Sequence, residues 1–240
     1  GESVAAATAT ALVGAGMHVQ PDVFAQLNTD TPDVIALHIG KNKVHTQTVV
    51  ITHSVDKSGV VAYPRLVIDA AENSEIVVVE RFTSADNVHS LVVPVVEVHA
   101  AQSARVTYLA INELGKNTWQ IGHQVAVGER DSNVRLFTVA LGGDYARVRA
   151  EVRLVGQGAS AQQTALYFAD GNQMHDFRTL QSHEAPRTHS DLLFKGAVKD
   201  KSKSVYTGLI KITEEGTKTE AFQTNRTLTL SSGAWAESVP

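Results

Sequence analysis

Cysteine is absent from all 240 residues. That removes disulfides, thiolate metal sites and any cysteine nucleophile together, and it fits a reducing compartment. Long apolar runs are also missing. The richest, EIVVVE at 75–80, is far too short to cross a bilayer, so no membrane role is expected. There is no extended basic run, and the formal charge is −4. Phosphate backbones call for clustered Lys and Arg, so nucleic acid is not an expected partner. The Ala/Thr-rich start, 3–13, lacks the positive flank of a signal peptide. The chain reads as a piece of something longer in a cytoplasmic setting.

Helical periodicity is scarce, and only 2–13 has the alanine content for a short helix. From about residue 46 the chain consists of short Val/Ile/Leu/Thr runs between small polar turns, a strand signal. Such runs fall at 48–55, 65–70, 76–82, 93–99, 106–111, 134–141 and 148–155. They recur as strand–turn–strand units: RLVIDAAENSEIVVVERF, VVEVHAAQSARVTYLAIN, HQVAVGERDSNVRLFTVAL and AEVRLVGQGASAQQTALYFA. The turn serines Ser74, Ser103, Ser132 and Ser160 lie 29, 29 and 28 residues apart. Ser202, in AVKDKSKSVY, follows after 42, which predicts one coil with an insertion of about a dozen residues.

A near-constant period built of strands predicts a solenoid, whose coils bury their apolar faces only by stacking. Low aromatic content, 6%, suits a narrow interior. A β-sandwich also has short strands but need not return at a fixed long period. The expected architecture is therefore all-β, a right-handed parallel β-helix over 46–240, preceded by a less regular N-terminal segment, 1–45.

Motifs with chemical potential are few. Ten histidines invite a metal reading, but the densest group, His175, His183 and His189, matches no compact zinc spacing. His189, Ser190 and Asp191 hold the letters of a hydrolase triad. Neighbours on a strand point to opposite faces, so they cannot form the relay with one another. Gly14 and Gly16 lack the third glycine and the βαβ setting of a dinucleotide loop. Asn225-Arg226-Thr227 is a glycosylation sequon by letter only. The lysines between 195 and 203 read as a solvated turn. The cluster His175, Asp176 and Arg178 is the least easily explained. On a strand His175 and Asp176 face opposite ways, so at most two of the three share a face, as a structural ion pair or as a reactive group.

The same region carries a family resemblance. DGNQMHDFRTL at 170–180, SDLLFKGA at 190–197, SVYTGLIKI at 204–212 and AFQTNRTLTL at 221–230 are similar to the core of the SufB/SufD family of SUF iron–sulfur cluster assembly proteins. AESVP at 236–240 resembles the family's Ala-Asp-Ser-x-Pro, with Glu237 in place of Asp. The strong match covers 165–240, and a looser one reaches back to about Val60. Gln223-Thr224-Asn225-Arg226 stands where SufB-type sequences have a Gln-Cys-Asp run, so the chain looks more like SufD.

The resemblance implies a β-helical, non-catalytic scaffold that pairs with a SufB-type partner and, when full-length, engages the SufC ATPase. It implies that a helical domain docking on SufC follows the β-helix and is absent from this sequence. It also places the partner contact near the C-terminal strands, around Asn225 and Arg226, and a homodimer is open to the isolated chain. Iron–sulfur clusters are held mainly by cysteine thiolates. A chain without cysteine is therefore expected to bind no cofactor alone, the cluster being handled by the complex. No catalytic or metal-ligating residue is assigned. Two other classes stay open: a β-helical polysaccharide lyase or hydrolase, which needs grouped carboxylates, and a purely structural β-solenoid.

Overall fold

The computed structural model describes residues 22–30 and 34–239. The helix expected at 2–13 lies outside them. The one described helix, α1 (Val23–Thr29), is capped by Asp22, whose carboxylate accepts from the backbone N–H of Phe24 at 3.1 Å and Ala25 at 3.0 Å. Everything else of regular structure is strand.

The strands alternate between two sheets. The longer follows the order β1 (Ile35–Ile39), β4 (Arg65–Ala70), β7 (Val95–Ala100), β9 (Thr118–Gly128), β11 (Tyr145–Leu154), β13 (Met174–His183), β15 (Lys203–Ile212) and β17 (Trp235–Val239). Two short strands, β3 (Val61–Ala62) and β6 (Ser90–Val92), extend its margin. The second sheet follows β2 (Val49–Val55), β5 (Glu75–Ser84), β8 (Arg105–Glu113), β10 (Asn133–Ala140), β12 (Ser160–Ala169), β14 (His189–Val198) and β16 (Glu220–Thr229). Every pairing is parallel, each strand meeting the one a full coil away. This is a parallel β-solenoid. β1, within the segment that shows no strand periodicity, pairs with β4 as the first rung of the long sheet.

The corners show why the sequence repeats. Where the chain turns from the long sheet to the second, one residue per coil adopts a left-handed backbone: Asn42, Asn73, Ser103, Asp131, Gly158, Arg187 and Lys218, with φ between 54° and 74°. Asn, Asp and Gly reach that region at least cost. All but the last, Lys218, donate their N–H to the corner of the next coil; Asn73 bonds the Gln102 carbonyl at 2.9 Å and Ser103 the Arg130 carbonyl at 2.9 Å. In the five middle corners the following residue is small and buried: Ser74, Ala104, Ser132, Ala159, then Thr188.

This ladder corrects the serine reading. Ser74 and Ser132 share the buried slot, Ser103 sits one place earlier on the left-handed residue, and Ser160 opens β12. Ser202 belongs to the opposite corner, between β14 and β15, where its hydroxyl bonds the Lys199 carbonyl at 2.7 Å. There is no inserted coil segment, because Ser160 pairs directly with His189. Both corners favour a small hydroxyl side chain, so serine alone does not tell them apart.

Between corners, alternate residues point inward. Leu66, Ile68, Ile76, Val78, Val96, Val98, Val106 and Val134 fill the first coils. A separate cluster of Tyr167, Phe177, Leu192, Phe194 and Tyr206 fills the last. α1 lies on the outer face of the long sheet. There the buried Asn28 amide donates to the Pro64 carbonyl at 3.0 Å and the Val93 carbonyl at 2.7 Å. Nearby, Arg65 and Glu97 form a buried ion pair.

Candidate functional site

The three residues of the polar cluster sit on β13 and divide between its two faces. His175 points inward and is fully buried, with the Tyr167 and Phe177 rings at 6.3 and 6.2 Å. No side chain among the described residues hydrogen-bonds either ring nitrogen, and the Gly142 backbone is the one polar group acting on the ring. Burial pulls its pKa down to about 4, opposed only by the Gly142 backbone. The imidazole is therefore neutral at pH 7 and closed to solvent.

Asp176 and Arg178 point outward together. The Arg178 guanidinium donates to Asp176 Oδ2 at 3.0 Å through Nη2 and 3.2 Å through Nε. The Tyr145 hydroxyl on the preceding rung donates to the same oxygen at 3.3 Å. The carboxylate is buried, and its hydrogen bond holds the Arg178 pKa above the ordinary arginine value. Burial, then the Asp176 charge, raises the Tyr145 pKa. Beside Asp176 in register stands Arg147, which pairs with Asp22 and lies 5.6 Å over the Phe24 ring. The arrangement clamps β11 and β13 and continues to the cap of α1. Tyr145, Arg147 and Asp22 are distant in sequence, and only the coil period, which puts residue 147 beside 176, could have signalled the first two.

At the C-terminal end, β16 and β17 are the outermost described strands, each with a single neighbour. Asn225 stands opposite Phe194 and is half-buried, its Oδ1 enclosed and without a partner among the described residues. Arg226 points outward beside Lys195. Around them Phe222, Leu228, Leu230 and Trp235 are 55%, 67%, 54% and 45% exposed. Exposed apolar side chains grouped in this way are suited to contact with another protein chain.

The triad letters are dispersed. Ser190 is buried and meets His183 Nε2 at 2.8 Å, while His183 Nδ1 meets the Thr188 hydroxyl at 2.7 Å. No carboxylate orients this imidazole, and burial lowers its pKa. His189 is exposed beside Phe222 and Glu220. Among the described residues no three His, Asp or Glu side chains converge to hold a metal ion. An interior cavity of 20 Å³, lined by Tyr108, Asn112, Gln120, Gln124 and Thr138 among others, has room for about one water molecule. No described helix is long and apolar enough to cross a membrane.

The fold defines a class, a parallel β-solenoid with a polar clamp on its outer face, and sequence comparison supplies the family. The model of the SUF system FeS cluster assembly SufBD core domain matches residues 50–240. The chain belongs to this SufBD family. An iron–sulfur cluster assembly SufBD family protein of Mycobacterium tuberculosis is 36% identical over 234 residues, covering 92% of this chain and 56% of the relative. The iron–sulfur cluster assembly protein SufD of Bacillus subtilis is 27% identical, covering 85% of the chain and 47% of that protein. SufD of Escherichia coli is 24% identical, covering 75% and 42%. The chain spans about half the length of the curated relatives it matches.

Proposed function

We propose that the protein is a SufD-type scaffold of a cytoplasmic SUF complex. It pairs with a SufB-type partner through its C-terminal rungs and engages a SufC-type ATPase when full-length. The nascent cluster is cargo, held by ligands from the partner or from the rest of the full-length protein, because residues 1–240 contain no cysteine. The chain itself performs no catalytic step. The Asp176–Arg178–Tyr145 clamp has a structural role in this reading, and Asn225 and Arg226 lie in the docking region.

The observation carrying this reading is the match of residues 50–240 to the SufBD core on an all-parallel solenoid whose C-terminal strands present the exposed apolar side chains Phe222, Leu228 and Trp235. Exposed apolar side chains offer contact area to a partner chain. The test is size-exclusion chromatography with light scattering on the protein alone and mixed with its SufB-type partner. A one-to-one complex that Leu228→Lys with Phe222→Lys disrupts is expected. Separate elution, repeated with the full-length protein and SufC, would sink the scaffold reading while leaving the fold intact.

A further inference from the structure

A chain of alternating histidines and carboxylates crosses the outer face of the first coils. His38 on β1 meets Asp69 Oδ2 on β4 through Nδ1 at 2.7 Å. His99 on β7 meets Asp69 Oδ1 through Nδ1 at 3.2 Å and Glu129, at the corner after β9, through Nε2 at 3.1 Å. The register explains the alignment: His38, Asp69 and His99 are successive members of one outward column.

His99 is the informative member. A neutral imidazole has one N–H and one lone pair, whereas a carboxylate only accepts. Two carboxylate oxygens facing the two ring nitrogens can both be satisfied only by the doubly protonated ring. We propose that His99 is an imidazolium at neutral pH and acts as a proton-dependent staple joining the rungs of β4, β7 and β9, with His38 extending it to β1.

The surroundings leave this charge to its two carboxylates. Glu97, two residues back on the same face, is tied to Arg65. Lys41 pairs with Glu72, Arg130 with Asp131, and Arg153 with Glu184. The neighbour on β9 is the apolar Val127. Consistently, the Asp69 hydrogen bond raises the His99 pKa above 6.5 against the opposing effect of burial. The His99 hydrogen bond likewise lowers that of Asp69 below 3.8. The staple's contribution is full below the unfolded histidine value and is lost as pH rises through the folded pKa of His99. It is lost again in acid, as pH falls through the folded pKa of Asp69. Its contribution is therefore full between about pH 4 and 6.5 and declines only as pH rises through the folded pKa of His99, which lies above 6.5.

The experiment is a histidine-ring NMR titration of the intact protein, with amide hydrogen exchange read by mass spectrometry at pH 6 and 8 and corrected for intrinsic rates. His99 is expected to titrate above a free histidine, and Glu129→Gln to lower that value. Protection of β1 and β4, measured against β15, is expected to fall about two- to fivefold between the two pH values. In His99→Gln that change disappears. A His99 that titrates at or below the free value, or wild-type protection of β1 and β4 that ignores pH, overturns the proposal. The ring titration decides it even where a variant fails to fold.

Discussion

The first and last coils fill the same cross-section with different side chains. Early rungs stack Leu66 on Val96, Ile68 on Val98 and Ile76 on Val106, aliphatic columns that repeat with little change. Late rungs stack rings: Tyr167 lies 4.8 Å from Phe177, Phe177 5.5 Å from Phe194 and Phe194 5.4 Å from Tyr206. Rings need space that an aliphatic column does not. Gly196 provides some of it, since a Cβ there would overlap the Tyr167 ring. The late core also carries hydroxyls, with Tyr206 bonded to Thr179 at 3.0 Å and Tyr167 to Thr227. The early columns, aliphatic apart from Phe82 and from Tyr108, whose hydroxyl bonds the buried Glu80, tolerate exchange among similar residues, whereas the late rings form a larger set of matched shapes and polar partners.

The largest effect that would sharpen this contrast is Phe177→Ala. It is expected to cost about 3–5 kcal/mol, against about 0.5–1.5 kcal/mol for Ile68→Val among the early columns, read by urea unfolding. Equal costs for Phe177→Ala and Ile68→Ala would mean that the rings pack no more specifically than the aliphatics.

Acid should probe the late half next. His175 has a folded pKa of about 4, below its unfolded value of 6.5. The unfolded chain therefore takes up its proton first. Stability falls as pH drops from 6.5 to 4 and levels below that, by about 3 kcal/mol in total. His175→Phe is expected to flatten this limb in denaturation curves at pH 7 and 4.5. A wild-type curve already flat there would show that the ring is not held neutral by burial.

Gly196→Ala is expected to cost about 1–3 kcal/mol by overpacking against Tyr167, and Tyr167→Ala in the same chain should recover part of it. The smallest effect is Tyr206→Phe, about 0.5–1.5 kcal/mol for the hydrogen bond to Thr179. Differential scanning calorimetry of the two single variants and the double would place both.

The solenoid was legible because its corners impose a chemical rule once per coil. Asn73, Ser103, Asp131 and Gly158 are all turn residues, and the small residue after each marks the period. The insertion inferred before Ser202 failed because Arg187 and Thr188 occupy the corresponding corner with letters that carry no turn signature. Strand alternation alone separated His175 from Asp176. The burial of Asp176 was not legible, since Tyr145 reaches it from the rung before and α1, around Asp22, lies on the same outer face. The Asp69–His99 contact was within reach, because VIDAA and EVHAA hold these residues at one position of the repeat.

The corner ladder also makes the molecule a ruler. The long sheet stacks eight strands along its main path, and at about 4.8 Å per rung its two ends stand roughly 34 Å apart. Each left-handed corner is tied to the next by backbone hydrogen bonds, so this span changes only in whole coils. Removing 29 residues in register, from Ser160 to Thr188, would shorten the body by one rung and leave both end faces intact. Removing a single residue within a strand would instead turn that rung inside out. Whatever the two ends hold is kept at a distance counted in coils.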